Sequence, residues 1–218
     1  MTNEAVCGGK IPMKFSSFLK RVVDVCLSLT GLALFLPFWL LITLIIYFES
    51  GRPVFYSDHR VGKDKKVYKH YKFRSMIKDA EKDSGPIWSE KEDRRSTKFG
   101  RALRGTAMDE LPQLWNILKG DMSFVGPRPE RSFFVEKFIK EVPGYEKRFA
   151  IRPGLTGLAQ VYGKYNTPAG KKLEYDLEYI RKMNLFLDLK LIFLSFMITL
   201  SGGWARFEDK NDKEIPRD

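Results

Sequence analysis

The chain has 218 residues, with 38 Lys and Arg against 27 Asp and Glu for a formal net charge of +11. That length accommodates one domain plus a membrane element. Two cysteines leave no disulfide framework to read, which argues against a cysteine-stapled secreted module and fits a reducing cytoplasm. The basic balance suits anionic lipid, diphosphates and nucleic acid alike, so charge alone selects no partner.

Residues 1–14, with Gly8 and Gly9, read as a flexible tail. From Val25 to Phe48 there is no charged residue, and a straight helix over that stretch would run about 36 Å, enough to cross a bilayer. Pro37 divides it into arms of about 16–18 Å, roughly half the hydrocarbon core. A plain spanning anchor and a re-entrant helix over 15–50, kinked at Pro37, are both open, because proline kinks also occur in ordinary spans. The flanks favour both ends on one side: Lys14, Lys20 and Arg21 lie before, Arg52, Arg60 and Lys63 after. Tyr47-Phe48-Glu49 is a poor cleavage site, so this is not a removed signal peptide.

Next come two expected strands, Val54-Phe55-Tyr56 and Val67 to Phe73, with a turn at Gly62-Lys63-Asp64-Lys65-Lys66. Val67 to Arg74 interleaves aromatics with bases, as a nucleic-acid platform would. A half-buried hairpin with a solvated lysine face explains it better. His59 and His70 have no metal-ligand spacing with either cysteine. Lys78 to Gly100 reads as a polar loop.

The most informative string follows. From Glu110 the apolar positions Leu111, Leu114, Trp115 and Leu118 trace one helical face, with Pro112 in its first turn and Lys119-Gly120 as its stop. Asp109 is the expected N-cap, held ionised by the helix dipole. Such a carboxylate, with Glu110 beside it, can hold Mg²⁺ or attack activated phosphorus. Ordinary helix-start chemistry accounts for the pair too. In Gly126-Pro127-Arg128-Pro129, flanking prolines restrict the backbone around Arg128, which suits bidentate phosphate recognition or a structural ion pair. Arg152, before Pro153-Gly154, carries the same two readings.

Further helices are expected over Glu130 to Val142, bearing Phe133, Phe134 and Phe138, and over Lys171 to Met183, with Leu173, Leu177 and Ile180 on one face. Leu185 to Leu200 is apolar but interrupted by Asp188 and Lys190. Its uncharged part is too short to span, so it packs or lies at an interface.

These strings together resemble the bacterial sugar transferase family, the monotopic phosphoglycosyl transferases. The likeness rests on Lys72-Phe73-Arg74-Ser75-Met76, Asp109-Glu110-Leu111-Pro112-Gln113, Gly120 through Pro129, and Arg152 through Val161, in the family's order behind a basic apolar segment. It covers roughly Phe15 to Leu200, and several long strings are far more specific than one motif. The resemblance implies transfer of a sugar-1-phosphate from a UDP-sugar to undecaprenyl phosphate, with release of UMP. It implies Asp109 as nucleophile, Glu110 as base or metal ligand, Mg²⁺ on both carboxylates, and Lys72, Arg74, Arg128, Arg152 and Lys164 as substrate contacts. Two positions depart from the family pattern. Leu36 precedes Pro37 where serine is frequent, and Tyr162-Gly163-Lys164 replaces Asn-Gly-Arg, so Lys164 keeps a charge without the guanidinium fork.

The expected fold is α+β: a mostly helical membrane-associated domain with a small hairpin and an N-terminal re-entrant, proline-kinked helix. Residues 51–201 would form a catalytic domain on the cytoplasmic face of a bacterial inner membrane, and 202–218 a tail. The expected partners are the UDP-sugar, undecaprenyl phosphate and membrane lipid, with no nucleic acid. The rival readings are a non-enzymatic basic membrane adaptor and a membrane-tethered nucleic-acid binder.

Overall fold

The computed structural model describes residues 13–82, 85, 93–163 and 167–201. Two helices, α1 (Met13–Leu34) and α2 (Leu36–Ser50), are bent by 60° at Phe35. Pro37, in the first turn of α2, supplies the cause, because it has no N–H to bond the carbonyl one turn back. The ladder closes on either side, Phe35 N donating to Gly31 O and Trp39 N to Phe35 O, both at 2.9 Å. Among the described residues no single helix is long and apolar enough to cross a membrane.

The polar residues of α1 tie it to the rest of the chain. Asp24 is buried, and its Oδ1 accepts from Ser123 Oγ and Phe124 N, each at 3.0 Å. Arg21 donates to the Ile117 and Leu118 carbonyls at 2.6 and 2.7 Å, a cation on the negative end of a helix. Lys20 Nζ lies 2.7 Å from Asp188 Oδ2, and Tyr179 Oη donates to Asp188 Oδ1 at 2.5 Å. Lys20 and Arg21, read from sequence as flanking charges, are thus paired internally, because the buried Asp188 and the orphan carbonyls of the helix end need partners.

Strands β1 (Phe55–Val61) and β2 (Val67–Phe73) form an antiparallel hairpin in register from Phe55 opposite Phe73 to Val61 opposite Val67. β1 reaches beyond the expected Val54-Phe55-Tyr56. Phe73 is buried with Ile42 and Ile46 of α2 and Leu103 of α3 (Lys98–Gly105), so the bent helix and hairpin share a core. α3 begins inside the stretch expected to be loop, capped by Thr97 Oγ1 accepting from Gly100 N at 2.9 Å. α4 (Gln113–Lys119) docks on β2 through Asn116, whose side chain accepts from Tyr71 N and donates to Lys69 O. The hairpin is therefore half-buried, as its alternation indicates.

A second sheet escaped the sequence reading. β3 (Ser123–Val125) and β4 (Gly154–Thr156) pair in parallel, Ser123 opposite Gly154 and Val125 opposite Thr156. Three residues each are too few to show a period-two pattern. After β3 comes α5 (Ser132–Glu141); β4 leads into α6 (Leu158–Tyr162), a five-residue helix outside the expected elements, and then α7 (Ala169–Lys182) and α8 (Leu185–Leu200); α5, α7 and α8 lie near the expected bounds. Val125, Leu158, Val161, Tyr175, Tyr179 and Leu191 form the core shared by β3, α6, α7 and α8. On the outer faces of α1, α2 and α8, large apolar side chains stand exposed, among them Phe18, Leu29, Leu40, Phe48, Phe186 and Phe193. The fold is α+β and mostly helical.

Candidate active site

The acidic pair lies in a 3₁₀ turn, Met108–Glu110, not at the start of a helix. This corrects the expected N-cap role of Asp109. Pro112 lacks the N–H that would bond Met108, so the turn closes on itself through Glu110 N to Ala107 O at 3.1 Å and Leu111 N to Met108 O at 3.3 Å. α4 starts separately at Gln113 and stops at Gly120, at φ 93°.

The turn holds both carboxylates against the hairpin. Lys72, on β2, places its Nζ 2.5 Å from Glu110 Oε1 and 3.7 Å from Asp109 Oδ2. Arg128 NH2 lies 3.1 Å from the same Glu110 oxygen. Arg128 owes its position to close backbone packing. A Cβ on Gly126 would stand 2.4 Å from Arg152 O, so only glycine lets the loop pass β4 there. Gly126 N donates to Thr156 O and Gly154 N to Pro127 O, each at 2.9 Å. Arg148, buried, donates to Arg128 O at 2.8 Å and pairs with Asp176 Oδ2 at 2.9 Å. On the hairpin side, Arg60 donates to Pro129 O at 2.9 Å and Val61 N to Glu130 O at 3.1 Å. Arg60 is held in turn by the buried carboxylate of Asp58, which also faces His70 and Arg131.

The electrostatics separate the two acids. Burial raises the Asp109 carboxyl above its ordinary range, with Lys72, Arg104 and Arg128 opposing and Glu110 adding to the rise. Burial acts on Glu110 as well, but Lys72 and Arg128 overcome it and hold Glu110 well below the carboxylate range. Glu110 in return raises the Arg128 guanidinium. The electrostatics thus divide the pair: Glu110 is the firmly held anion, and burial makes Asp109 the more basic carboxylate of the two.

Both acids open on a cleft of 1610 Å³. Lys72, Arg104, Arg128, Arg148 and Lys172 make part of its wall; Leu27 of α1, Phe35 at the bend, Phe124 and Leu155, and Ile192 and Phe196 of α8 make another. Arg104 has no helix, strand or proline signal marking it beyond its charge, and the sequence reading passed over it; only the fold brings α3 to the acids. Arg74 also lines the cleft, but its NH2 is spent on Ser50 O, Ser50 Oγ and Gly51 O at the end of α2. Arg152 stands outside the cleft lining, its Nε donating to Gly120 O at 2.9 Å. Lys164 lies outside the described residues. Asp109 and Glu110 offer hard oxygens to a divalent cation, and no cluster of three or more candidate ligands occurs among the described residues. That set suits Mg²⁺, which is usually held by one or two carboxylates with substrate phosphates and water completing its shell.

The model of the bacterial sugar transferase family matches residues 15–202. The chain is 38% identical over 207 residues to the UDP-N-acetylgalactosamine-undecaprenyl-phosphate N-acetylgalactosaminephosphotransferase of Aeromonas hydrophila, covering 94% of this chain and 49% of that protein. It is 42% identical over 181 residues to the UDP-glucose:undecaprenyl-phosphate glucose-1-phosphate transferase of Klebsiella pneumoniae, covering 81% and 39%. It is 39% identical over 196 residues to the exopolysaccharide production protein PSS of Rhizobium leguminosarum bv. phaseoli, covering 85% and 96%. The chain thus spans about half or less of the first two relatives and nearly all of the third.

Proposed function

The chain belongs to the bacterial sugar transferase family, and from that premise we propose that it moves a sugar-1-phosphate from a UDP-sugar to undecaprenyl phosphate and releases UMP, an early membrane step of glycan assembly. The observation that carries this reading is the two-sided cleft. The acids and cations of Lys72, Asp109, Glu110 and Arg128 share one cavity with apolar walls from α1 and α8. A water-soluble diphosphate suits the first side and a prenyl chain the second.

In this mechanism the Asp109 carboxylate attacks the sugar-linked phosphorus of the donor. An aspartyl–phosphorus bond forms, the diphosphate P–O bond breaks, and UMP departs with the bridging oxygen. A phosphate oxygen of the lipid then attacks the same phosphorus, freeing Asp109 and leaving a lipid diphosphosugar. Lys72 and Arg128 receive the negative oxygens, as positioning and charge neutralisation dominate phosphoryl transfer. Asp109 and Glu110 would hold Mg²⁺, which would neutralise charge on the diphosphate. Arg104 adds positive potential beside Asp109. Arg74 supports the site through the end of α2.

The exposed apolar faces of α1, α2 and α8 support membrane seating, and the 60° bend supports re-entry, with the cleft opening to the cytoplasmic face of the inner membrane. A basic adaptor or nucleic-acid binder would not need the acids buried among cations.

The test is a panel of UDP-sugars with undecaprenyl phosphate, read as UMP release. Turnover with at least one sugar, abolished by excess chelator, is expected. No release from any donor, together with salt-sensitive oligonucleotide binding, would replace the enzyme reading with the nucleic-acid one.

A further inference from the structure

Gln160 is a polar group of the cleft that the proposed mechanism does not use. It sits on α6 and lines the cleft, yet its amide Nε2 and Oε1 are both buried and neither has a hydrogen-bond partner. An unpaired buried amide is destabilising, and a carboxamide left with both its donor and its acceptor unmet is suited to a ligand that offers both.

Its surroundings indicate which ligand. A Cβ on Gly157 would stand 2.9 Å from Gln160 Oε1 and 2.3 Å from Gly126 O. The amide therefore lies over a glycine turn that abuts the loop leading to Arg128. Ala159 and Gly163, small residues of the same turn, line the cleft beside it. Lys172, in the first turn of α7, lines it too; burial lowers its ammonium pKa, and Glu130, Arg128, Arg148 and Asp176 act on it electrostatically. Gln160 thus shares one cleft with anion-receiving cations and has room beside it left by small residues, a combination that fits a nucleotide.

Resting on the proposed function, we propose that Gln160 reads the uracil edge of the donor. In this pairing Nε2 donates to a ring carbonyl and Oε1 accepts from N3–H, while phosphate lies toward Arg128 and Lys172. The sugars named for the relatives differ, N-acetylgalactosamine in one and glucose in another, but their donors share uridine diphosphate. A contact to the base would serve any of them.

The experiment compares UMP with its N3-methylated analogue, which keeps both carbonyls and loses the N3–H. Binding is measured by titration calorimetry on the full chain in lipid nanodiscs, for the wild type and for Gln160→Met, a substitution of similar volume. The wild type should bind UMP at least about tenfold more tightly than the methylated analogue, and Gln160→Met should bind the two alike. Equal affinity of the wild type for both, or a preference that survives in Gln160→Met, overturns the inference and leaves the transferase reading in place. Absence of UMP binding also overturns it, and if no UDP-sugar releases UMP either, the proposed function falls with it.

Discussion

Lys72 Nζ lies 2.5 Å from Glu110 Oε1, joining the hairpin to the acidic turn by its shortest ion pair. The contact makes Glu110 a permanent anion and leaves Asp109 the less solvated, less paired of the two acids. Neighbouring carboxylates acquire different tasks from the position of one ammonium group.

Lys72→Met should therefore change more than binding. Burial disfavours the Glu110 carboxylate, and Lys72 is the first charge to offset it. Lys72 is also the main charge opposing the raised pKa of Asp109, so without that ammonium both carboxyls titrate higher and the acidic limb of the pH–rate profile moves to higher pH. The rate of UMP release should fall by roughly 10²–10³ at neutral pH, the usual cost of one group aimed at developing charge. An unchanged profile with only a raised KM would make Lys72 a simple docking contact.

Arg148 and Asp176 predict a stability signature away from the acids. Burial pushes Asp176 up to about 6, and Arg148 only partly opposes it. A carboxyl with a raised folded pKa binds more protons folded than unfolded, so stability falls as pH rises from about 4 to 6 and levels off above. Asp176→Asn should remove that slope in thermal denaturation. Arg148→Met, which leaves a buried carboxylate without its cation, should cost about 3–5 kcal/mol at neutral pH. A slope retained in Asp176→Asn would assign it to another group.

Pro37 should set the course of the bent helix pair. Its missing N–H opens the ladder between α1 and α2, and Pro37→Ala restores the donor. A single cysteine at Ser16, in a background lacking Cys7 and Cys26, is probed with an impermeant thiol reagent on spheroplasts. Protection in the proline-containing protein and increased labelling in the alanine variant are expected. Strong outside labelling of the proline-containing protein would show an ordinary span.

What was legible in the sequence follows the length over which a pattern repeats. The helices at Glu130 to Val142, Lys171 to Met183 and Leu185 to Leu200 carry several turns of apolar spacing, and the structure has helices there. The β3–β4 pair does not, because three residues show no period. Asp109 and Glu110 stood out by adjacency, but their environment did not: Pro112 reads equally as a helix-first-turn residue or as the break between two turns. Lys72 and Arg128 come from segments 56 positions apart in number, and only the fold shows that they meet one oxygen of Glu110. Arg152, prominent beside Pro153, turns instead to Gly120 O.

The central claim is that Asp109 becomes covalently loaded. Radiolabelled UDP-sugar, mixed with the protein without lipid acceptor and quenched rapidly in acid, should label the chain stoichiometrically, with the label on Asp109. Asp109→Asn should take no label while folding at least as stably at neutral pH. Burial raises the Asp109 pKa, so its charge costs stability above the ordinary carboxylate range, and the gain should vanish as pH falls below about 4. Label on Asp109 that is chased into lipid by undecaprenyl phosphate is the predicted result. No covalent species at any quench time, with UMP released only when both substrates are present, would contradict it and establish direct displacement.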